Sequence, residues 1–429
     1  MRFLVESGTY AIDNVGDIAM LERTVRRLAD AFPGAKIAVV TQRPDRLKRI
    51  LPGVEPVPAS PWFRLRVVPV PRRFEYARFV RRIRWREKLL AGWLPRLAHL
   101  GKMCDRWSDA EERDAAARFY RAVRSADAVV AAGGGYINDF YHEHAWKVLA
   151  TLGLAQGMRK PTAMFGIGLG PVSREELVQH GGPILRRLRL LGLREPELSP
   201  AEARRLGVPQ ERIIVTGDDA VAIAAASPAP PAEARRGIGV NLRLSDSAQV
   251  PPEALPRVRS AARTAAGRHG ATLVPLIVRT ADSPRNDVDA LESLFGPGGI
   301  DLGRAREILT PQQAMEEIAR CRVVVTGAYH NAVFALAMGV PVVGLTKSTY
   351  YAAKLHGVAR QFGGGMSVLL LDDPDLETKL VEEVGRLWYE APTLHAPLLA
   401  AAGRQVALSD EAYERFFQRV DRSRRRQRQ

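Results

Sequence analysis

Ala224-Ala-Ala-Ser-Pro-Ala-Pro-Pro-Ala-Glu-Ala234 carries no apolar periodicity, and directly after it Ile238-Gly-Val-Asn-Leu242 forms a short, almost wholly apolar run. A stretch rich in proline and alanine reads as a linker, and a short apolar run closed by a polar residue reads as a buried strand. This stretch decides the fold because one rhythm runs on both sides of it. Upstream, apolar runs at 3–6, 36–41, 127–132, 161–167, 190–194 and 213–216 each lead into a helical pattern. Downstream the rhythm restarts at 238–242 and continues at 272–278, 322–326 and 341–345. Strands alternating with helices build βαβ units and a parallel sheet. The expectation is an α/β chain of two Rossmann-like domains, residues 1–222 and 236–390, joined by a linker at 223–235, with parallel sheets facing a central cleft. Residues 404–420 read as a helix packing back across the hinge, and 421–429 as a basic tail. In open parallel sheets ligands bind beyond the carboxyl ends of the strands, so the cleft is the candidate site.

The 429 residues are 46% apolar and 26% charged, which excludes disordered, collagen-like and small disulfide-stapled classes. No window approaches the ~18 uninterrupted apolar residues of a membrane span, and the N-terminus runs straight into a strand-like segment. A cytoplasmic protein is expected. Cys104 and Cys321 lie far apart without a CxxC pattern, so neither a disulfide framework nor a zinc site is indicated. The net charge of +16 is localised. Residues 64–102 hold 12 Arg/Lys against Glu75 and Glu87, and residues 422–428 add five arginines without an acid. Arginine outnumbers lysine 54 to 9, which high-GC codon usage explains as well as selection does. In the segment 63–103, Phe63, Phe74, Tyr76, Phe79, Trp85 and Trp93 interleave with the basic residues. Such a segment is a candidate for peripheral contact with an anionic membrane surface; the plainer reading is a solvated helical excursion covering the first domain. No RNP, KH or zinc-knuckle pattern accompanies it, so no nucleic-acid partner is expected.

The first strand ends in Ser7-Gly8-Thr9-Tyr10-Ala11-Ile12-Asp13-Asn14-Val15-Gly16-Asp17 and opens a helix. Gly8 and Gly16 permit close backbone approach, and Asn14 or Asp17 can cap the helix and leave its amides facing the cleft. The loop is not GxGxxG, and the second strand closes on Thr41-Gln42-Arg43 rather than an acid, which disfavours a nicotinamide enzyme. The third and fourth long strands deliver Gly133-Gly134-Gly135 and Gly166-Ile167-Gly168-Leu169-Gly170-Pro171. Glycines at successive strand ends let a substrate touch main chain. His330 follows a strand and opens a helix, where imidazole shuttles protons beside anion-binding amides. His142-Glu143-His144 offers metal-ligand types, but i and i+2 do not share a helix face and no third ligand is evident; no metal is expected.

The order of these motifs resembles the polysaccharide pyruvyl transferase family. The resemblance rests on Asn14-Val15-Gly16-Asp17, Gly133-Gly134-Gly135, Gly168-Leu169-Gly170-Pro171, Arg194-Glu195 with Ser199, Thr216-Gly217-Asp218, and His330 before Phe334-Ala335-Leu336-Ala337-Met338-Gly339-Val340-Pro341. It spans roughly residues 1–360, with 63–103 as an insertion. It implies a GT-B-like double Rossmann architecture and transfer of the enolpyruvyl carbons of phosphoenolpyruvate onto sugars as ketals, with phosphoenolpyruvate as donor substrate and no further cofactor. His330 would then protonate the enol methylene while a sugar hydroxyl attacks C2; phosphate leaves and a second hydroxyl closes the ketal. Asp13 and Asp17 are candidate bases toward the acceptor hydroxyl. Asn14, Gly16, Gly133, Gly134, Gly135, Gly168, Arg194, Asp218, Arg243, Tyr329, Asn331 and Lys347 form the expected substrate-binding set, with His330, Arg194 and Lys347 converging opposite the first loop.

One residue departs from the family pattern: Ala328 stands where an arginine precedes the histidine by two. A donor bearing a carboxylate and a phosphate needs cations, and the candidates to supply them are Arg194, Arg243, Arg279, Lys347 and Lys354. Two further readings share the cleft: a GT-B glycosyltransferase with a nucleotide-sugar donor, and a non-catalytic saccharide-binding protein. The acceptor is expected to be a sugar or lipid-linked saccharide.

Overall fold

The computed structural model describes residues 1–59, 110–244 and 248–428. The basic segment 63–103, and with it the expectation of membrane contact, lies outside the described residues, as do the tail's side chains beyond Arg422.

The first sheet holds β1 (Arg2–Glu6), β2 (Lys36–Thr41), β3 (Glu55–Pro58), β4 (Ala128–Ala131), β5 (Gly134–Ile137), β6 (Thr162–Leu169), β7 (Leu190–Leu193) and β8 (Ile213–Val215). Its order is β3-β2-β1-β4-β6-β7-β8, with β5 also paired to β6. The second holds β9 (Gly237–Asn241), β10 (Thr272–Pro275), β11 (Cys321–Thr326), β12 (Val342–Thr346) and β13 (Met366–Leu370) in the order β10-β9-β11-β12-β13. Every pairing is parallel. Sheets covered on both faces need apolar strands without alternation, and β4, β7 and β9 are buried along their whole lengths. Three strands escape the sequence rhythm. Glu55-Pro-Val-Pro58 carries two prolines, which a sheet tolerates at its edge, and β3 is the edge beside β2. β5 is built from the glycine run that reads as a turn, and β13 is the far edge of the second sheet.

The helices that matter to the cleft are α1 (Val15–Ala31), α2 (Pro44–Ile50), α3 (Ala220–Ala225), α4 (Tyr329–Ala337), α5 (Thr349–Phe362) and α6 (Leu376–Arg428). α1 belongs to the first domain by sequence, yet Val15, Ala19 and Met20 pack into the core that the second domain builds. α6 runs for 53 residues and contains Pro392 and Pro397. Its first half places Leu376, Leu380, Val384 and Leu387 in the second core; its last turns place Ala412, Tyr413, Phe416 and Phe417 against Phe3, Val5 and Phe165 of the first. Tyr413 stacks on Phe165 with ring centroids 3.9 Å apart. Buried Asp219, at the start of α3, accepts hydrogen bonds from Ser409 Oγ and Tyr413 Oη, both at 2.8 Å, and so ties this helix to the hinge. The Pro/Ala segment between the domains is packed as well. Arg235, 2% exposed, donates from Nε to Pro230 O at 2.8 Å and from Nη2 to Met338 O at 3.2 Å, satisfying the end of α4. Among the described residues no helix is long and apolar enough to cross a membrane.

Candidate active site

Residues 13–17 are held from both sides. Asn14 is the N-cap of α1, its Oδ1 accepting from Gly16 N at 2.9 Å and Asp17 N at 3.2 Å. The side chain of Asp17 is thereby left for another task. Val15 N donates to Val278 O at 2.9 Å and Thr280 N to Asp13 O at 3.0 Å, so the loop after β10 is stitched to the loop after β1. Asp13 Oδ2 accepts from Arg279 Nη1 at 2.9 Å and Ser283 Oγ at 2.7 Å. Beside this pair, Arg46 of α2 reaches Asp282 Oδ1 at 2.6 Å and Thr280 Oγ1 at 3.1 Å. The domains therefore meet at charged contacts on one side of the cleft. Asp13 and Arg279, which the sequence offers as base and donor cation, are paired with each other there, and Asp13 Oδ1 keeps no hydrogen-bond partner among the described residues.

The opposite wall is the N-terminus of α4. Thr326 Oγ1 accepts from Ala328 N at 2.9 Å, shaping the turn that aims His330 across the cleft at α1. The imidazole lies on the Cα of Gly16: a Cβ there would overlap its Cγ and Nδ1. No other residue than glycine leaves that space. His330 Nε2 stands 3.8 Å from Asp218 Oδ2 and, like both amide atoms of the neighbouring buried Asn331, finds no hydrogen-bond partner among the described residues. Burial pulls the His330 pKa down to about 4; Asp218 opposes this, while Arg194, Lys354 and Arg243 add to it. The histidine is thus a neutral imidazole at neutral pH, suited to accept a proton.

Asp17 has the complementary property. Burial lifts its pKa to about 7, with Arg279 and Arg194 opposing and Asp13 and Asp218 assisting. One group of raised and one of lowered proton affinity, Asp17 on α1 and His330 on the facing N-terminus of α4, is the pattern of an acid–base pair.

Arg194, at the end of β7 and 2% exposed, fills the space the glycines leave. A Cβ on Gly168 would stand 2.7 Å from its Nε, and one on Gly135 would overlap its Nη2. Its Nη1 lies 3.4 Å from Asp218 Oδ2, and its guanidinium sits over the Tyr329 ring at 4.2 Å. Asp218 Oδ1 accepts from Ala220 N at 2.9 Å, which fixes the carboxylate between Arg194 and His330. Gly133 packs on Met20 and Gly134 on Tyr136, one layer behind. A recess opens here, lined by Gly135, Gly168, Arg194 and Ser199 from one domain and Ala353 and Lys354 from the other.

Of the predicted set, the structure brings together Asn14, Gly16, Asp17, Gly135, Gly168, Arg194, Asp218, Tyr329 and His330. Arg243 adjoins them, its Nη1 bound to Asp287 Oδ1 at 3.0 Å. Lys347 does not join: it is exposed, 3.8 Å from Asp372. The cation that α5 contributes instead is Lys354, six residues into the helix that Ser348 caps. Among the described residues no three His, Cys, Asp or Glu are grouped to hold a metal ion.

Comparison with known proteins fits this geometry. Residues 14–348 match the family model of polysaccharide pyruvyl transferase. No curated protein sequence matches the chain. Among solved structures, the fold is similar to the Staphylococcus aureus MnaA–UDP complex (TM-score 0.55, 11% identity, covering 94% of both chains). It is similar to the UDP-GlcNAc 2-epimerase of Methanocaldococcus jannaschii (0.52, 13%, covering 89% of this chain and 92% of that one). The Neisseria meningitidis UDP-GlcNAc 2-epimerase bound to UDP-GlcNAc gives 0.52 at 10%, covering 95% of this chain and 99% of that one. At such identities the likeness shows the fold, a GT-B-like pair of Rossmann-like domains.

Proposed function

We propose, for a chain that belongs to the polysaccharide pyruvyl transferase family, that it moves the pyruvyl carbons of phosphoenolpyruvate onto two hydroxyls of a sugar in a polysaccharide precursor. The observation that carries the donor is buried Arg194, which lines the recess between the domains and shares the carboxylate of Asp218 with His330. Arginine grips carboxylate or phosphate in bidentate fashion, and a site walled by glycine backbone excludes the water that would screen it. Asp17 gives its proton to C3 of the enol as the oxygen of a first hydroxyl bonds to C2; that hydroxyl's proton goes to His330. The C2–O bond to phosphate then breaks, phosphate leaving with the electron pair, and the second hydroxyl closes the ketal, its proton passing to phosphate. Proton return from His330 to Asp17 resets the pair. The acceptor is a saccharide, and a lipid-linked one on the cytoplasmic face fits the basic, aromatic segment 63–103.

A thermal-shift screen separates this donor from a nucleotide sugar. At about 100 times its dissociation constant a ligand adds ~2.7 kcal/mol to stability. Phosphoenolpyruvate should raise the melting temperature, and UDP-, GDP- and CMP-sugars at equal concentration should not. A shift with a nucleotide sugar alone would replace the donor and leave the fold assignment untouched.

A further inference from the structure

Gln405, Ser409 and Tyr413 recur at four-residue spacing on one face of α6, and all three are buried. They face one turn, Thr216-Gly217-Asp218-Asp219, between β8 and α3. Gln405 lies on Gly217, whose φ of +84° and lack of room for a Cβ both require glycine. Asp219, 1% exposed, accepts from Ser409 Oγ and Tyr413 Oη at 2.8 Å each. The same Tyr413 hydroxyl stands 2.9 Å from Thr24 Oγ1 of α1, and Asp410 and Glu414 of α6 pair with Arg23 and Arg27 of α1. α6 therefore grips two pieces of the cleft at once: the helix whose first turn holds Gly16 and Asp17, and the turn that carries Asp218.

β8 is three residues long and is the edge of its sheet, so the strand supports the turn from one side only. A buried carboxylate between two hydroxyl donors is held to a narrow geometry, because displacing it strands a charge in a low-dielectric interior. One residue before it, Asp218 Oδ2 stands 3.4 Å from Arg194 Nη1 and 3.8 Å from His330 Nε2. We propose that Tyr413 and Ser409 are positioning residues for the reaction: through Asp219 they fix where the Asp218 carboxylate stands between Arg194 and His330. Both lie beyond residues 14–348, in a part of the chain that the family match does not reach. The proposal rests on the catalytic reading of His330 for its effect on turnover, but not for its effect on the surroundings of the imidazole.

Tyr413→Phe tests it, because the ring can still stack on Phe165 while the shared hydroxyl is lost. With the full chain labelled with ¹⁵N at histidine, the His330 ring signal is identified by its disappearance in His330→Gln. In Tyr413→Phe that signal should move in the direction it moves in Asp218→Asn, and adding Tyr413→Phe to Asp218→Asn should move it little further. Ser409→Ala should give a smaller displacement, and it carries the test if the tyrosine variant does not fold. Val420→Ala, which trims the buried face of the same helix about two turns on, should leave the signal in place. With ¹³C-labelled phosphoenolpyruvate and a saccharide acceptor, Tyr413→Phe should lower kcat roughly 10-fold to 100-fold, the cost of misplacing a catalytic contact by about 1 Å. Val420→Ala should keep kcat. If the signal moves as expected and the unmodified chain transfers no pyruvyl group, the positioning stands and the donor reading falls. The proposal is overturned by a His330 signal that stays put in folded Tyr413→Phe or Ser409→Ala, by an equal displacement in Val420→Ala, or by an unchanged kcat in Tyr413→Phe.

Discussion

Gly16→Ala should lower turnover by ~10²-fold to 10⁴-fold, the loss expected for His330→Ala itself, while the protein stays folded. Local propensity argues the other way, since alanine is the better helix former by about 1 kcal/mol and α1 is already capped by Asn14. The effect comes from across the cleft. A methyl group at residue 16 would occupy the place of the imidazole carbon and Nδ1, so the ring must swing off the line to the substrate. The two changes should therefore fail to add. In a His330→Ala background the space is vacated, and Gly16→Ala should cost almost nothing further, the signature of two residues acting through one contact. Steady-state kinetics of the four proteins of this cycle, with circular dichroism on each, is the measurement. Additive losses would place Gly16 in a role separate from the histidine.

Asp17→Asn should move activity and stability in opposite directions. The asparagine cannot give a proton to the enol carbon, so turnover should fall by ~10²-fold or more. The native pKa of Asp17 is raised to about 7, above its ordinary 3.8. Stability is then fully present below pH ~4 and is lost as pH rises through 7, because the folded state is penalised for holding the ionised form. Removing the charge should make the variant more stable than the unmodified chain at pH 8 by on the order of 2 kcal/mol, after allowing for partial hydration, with the gain fading toward pH 4. In the unmodified chain kcat/KM should fall above pH about 7 as the acid ionises, and hold toward lower pH until His330 protonates near 4. An alkaline limb that survives in Asp17→Asn would assign the proton to another group.

Much of this is legible in the sequence alone. The strand-end positions of Gly135, Gly168, Arg194, Asp218 and His330 follow from apolar runs and the turn residues that close them, because parallel sheets deliver such residues to one edge. Less visible was which cation turns inward. Lys347 sits directly after β12 and Lys354 lies within α5; sequence position favours the first, but only packing decides that the strand end leads out to Asp372 and the helix face leads in to Gly135. The role of Asp13 was hidden for the same reason, since its partners Arg279 and Ser283 lie some 270 residues away in another domain. Proton affinities were the least accessible. A histidine reads as a group titrating near neutrality until burial and three neighbouring cations depress it. Edge strand β3 escapes the sequence reading because an edge tolerates the prolines that a central strand excludes.

The central claim is that this cleft carries pyruvyl transfer, and following the donor's carbon tests it most directly. Phosphoenolpyruvate labelled with ¹³C at C2, incubated with the full chain and a saccharide acceptor fraction, should pass its label into the saccharide as a ketal carbon, with one phosphate released per label transferred. Arg194→Ala should demand far more donor for the same rate, and His330→Ala should stop the transfer. Label remaining in phosphoenolpyruvate while a nucleotide sugar glycosylates the same acceptors would contradict the account.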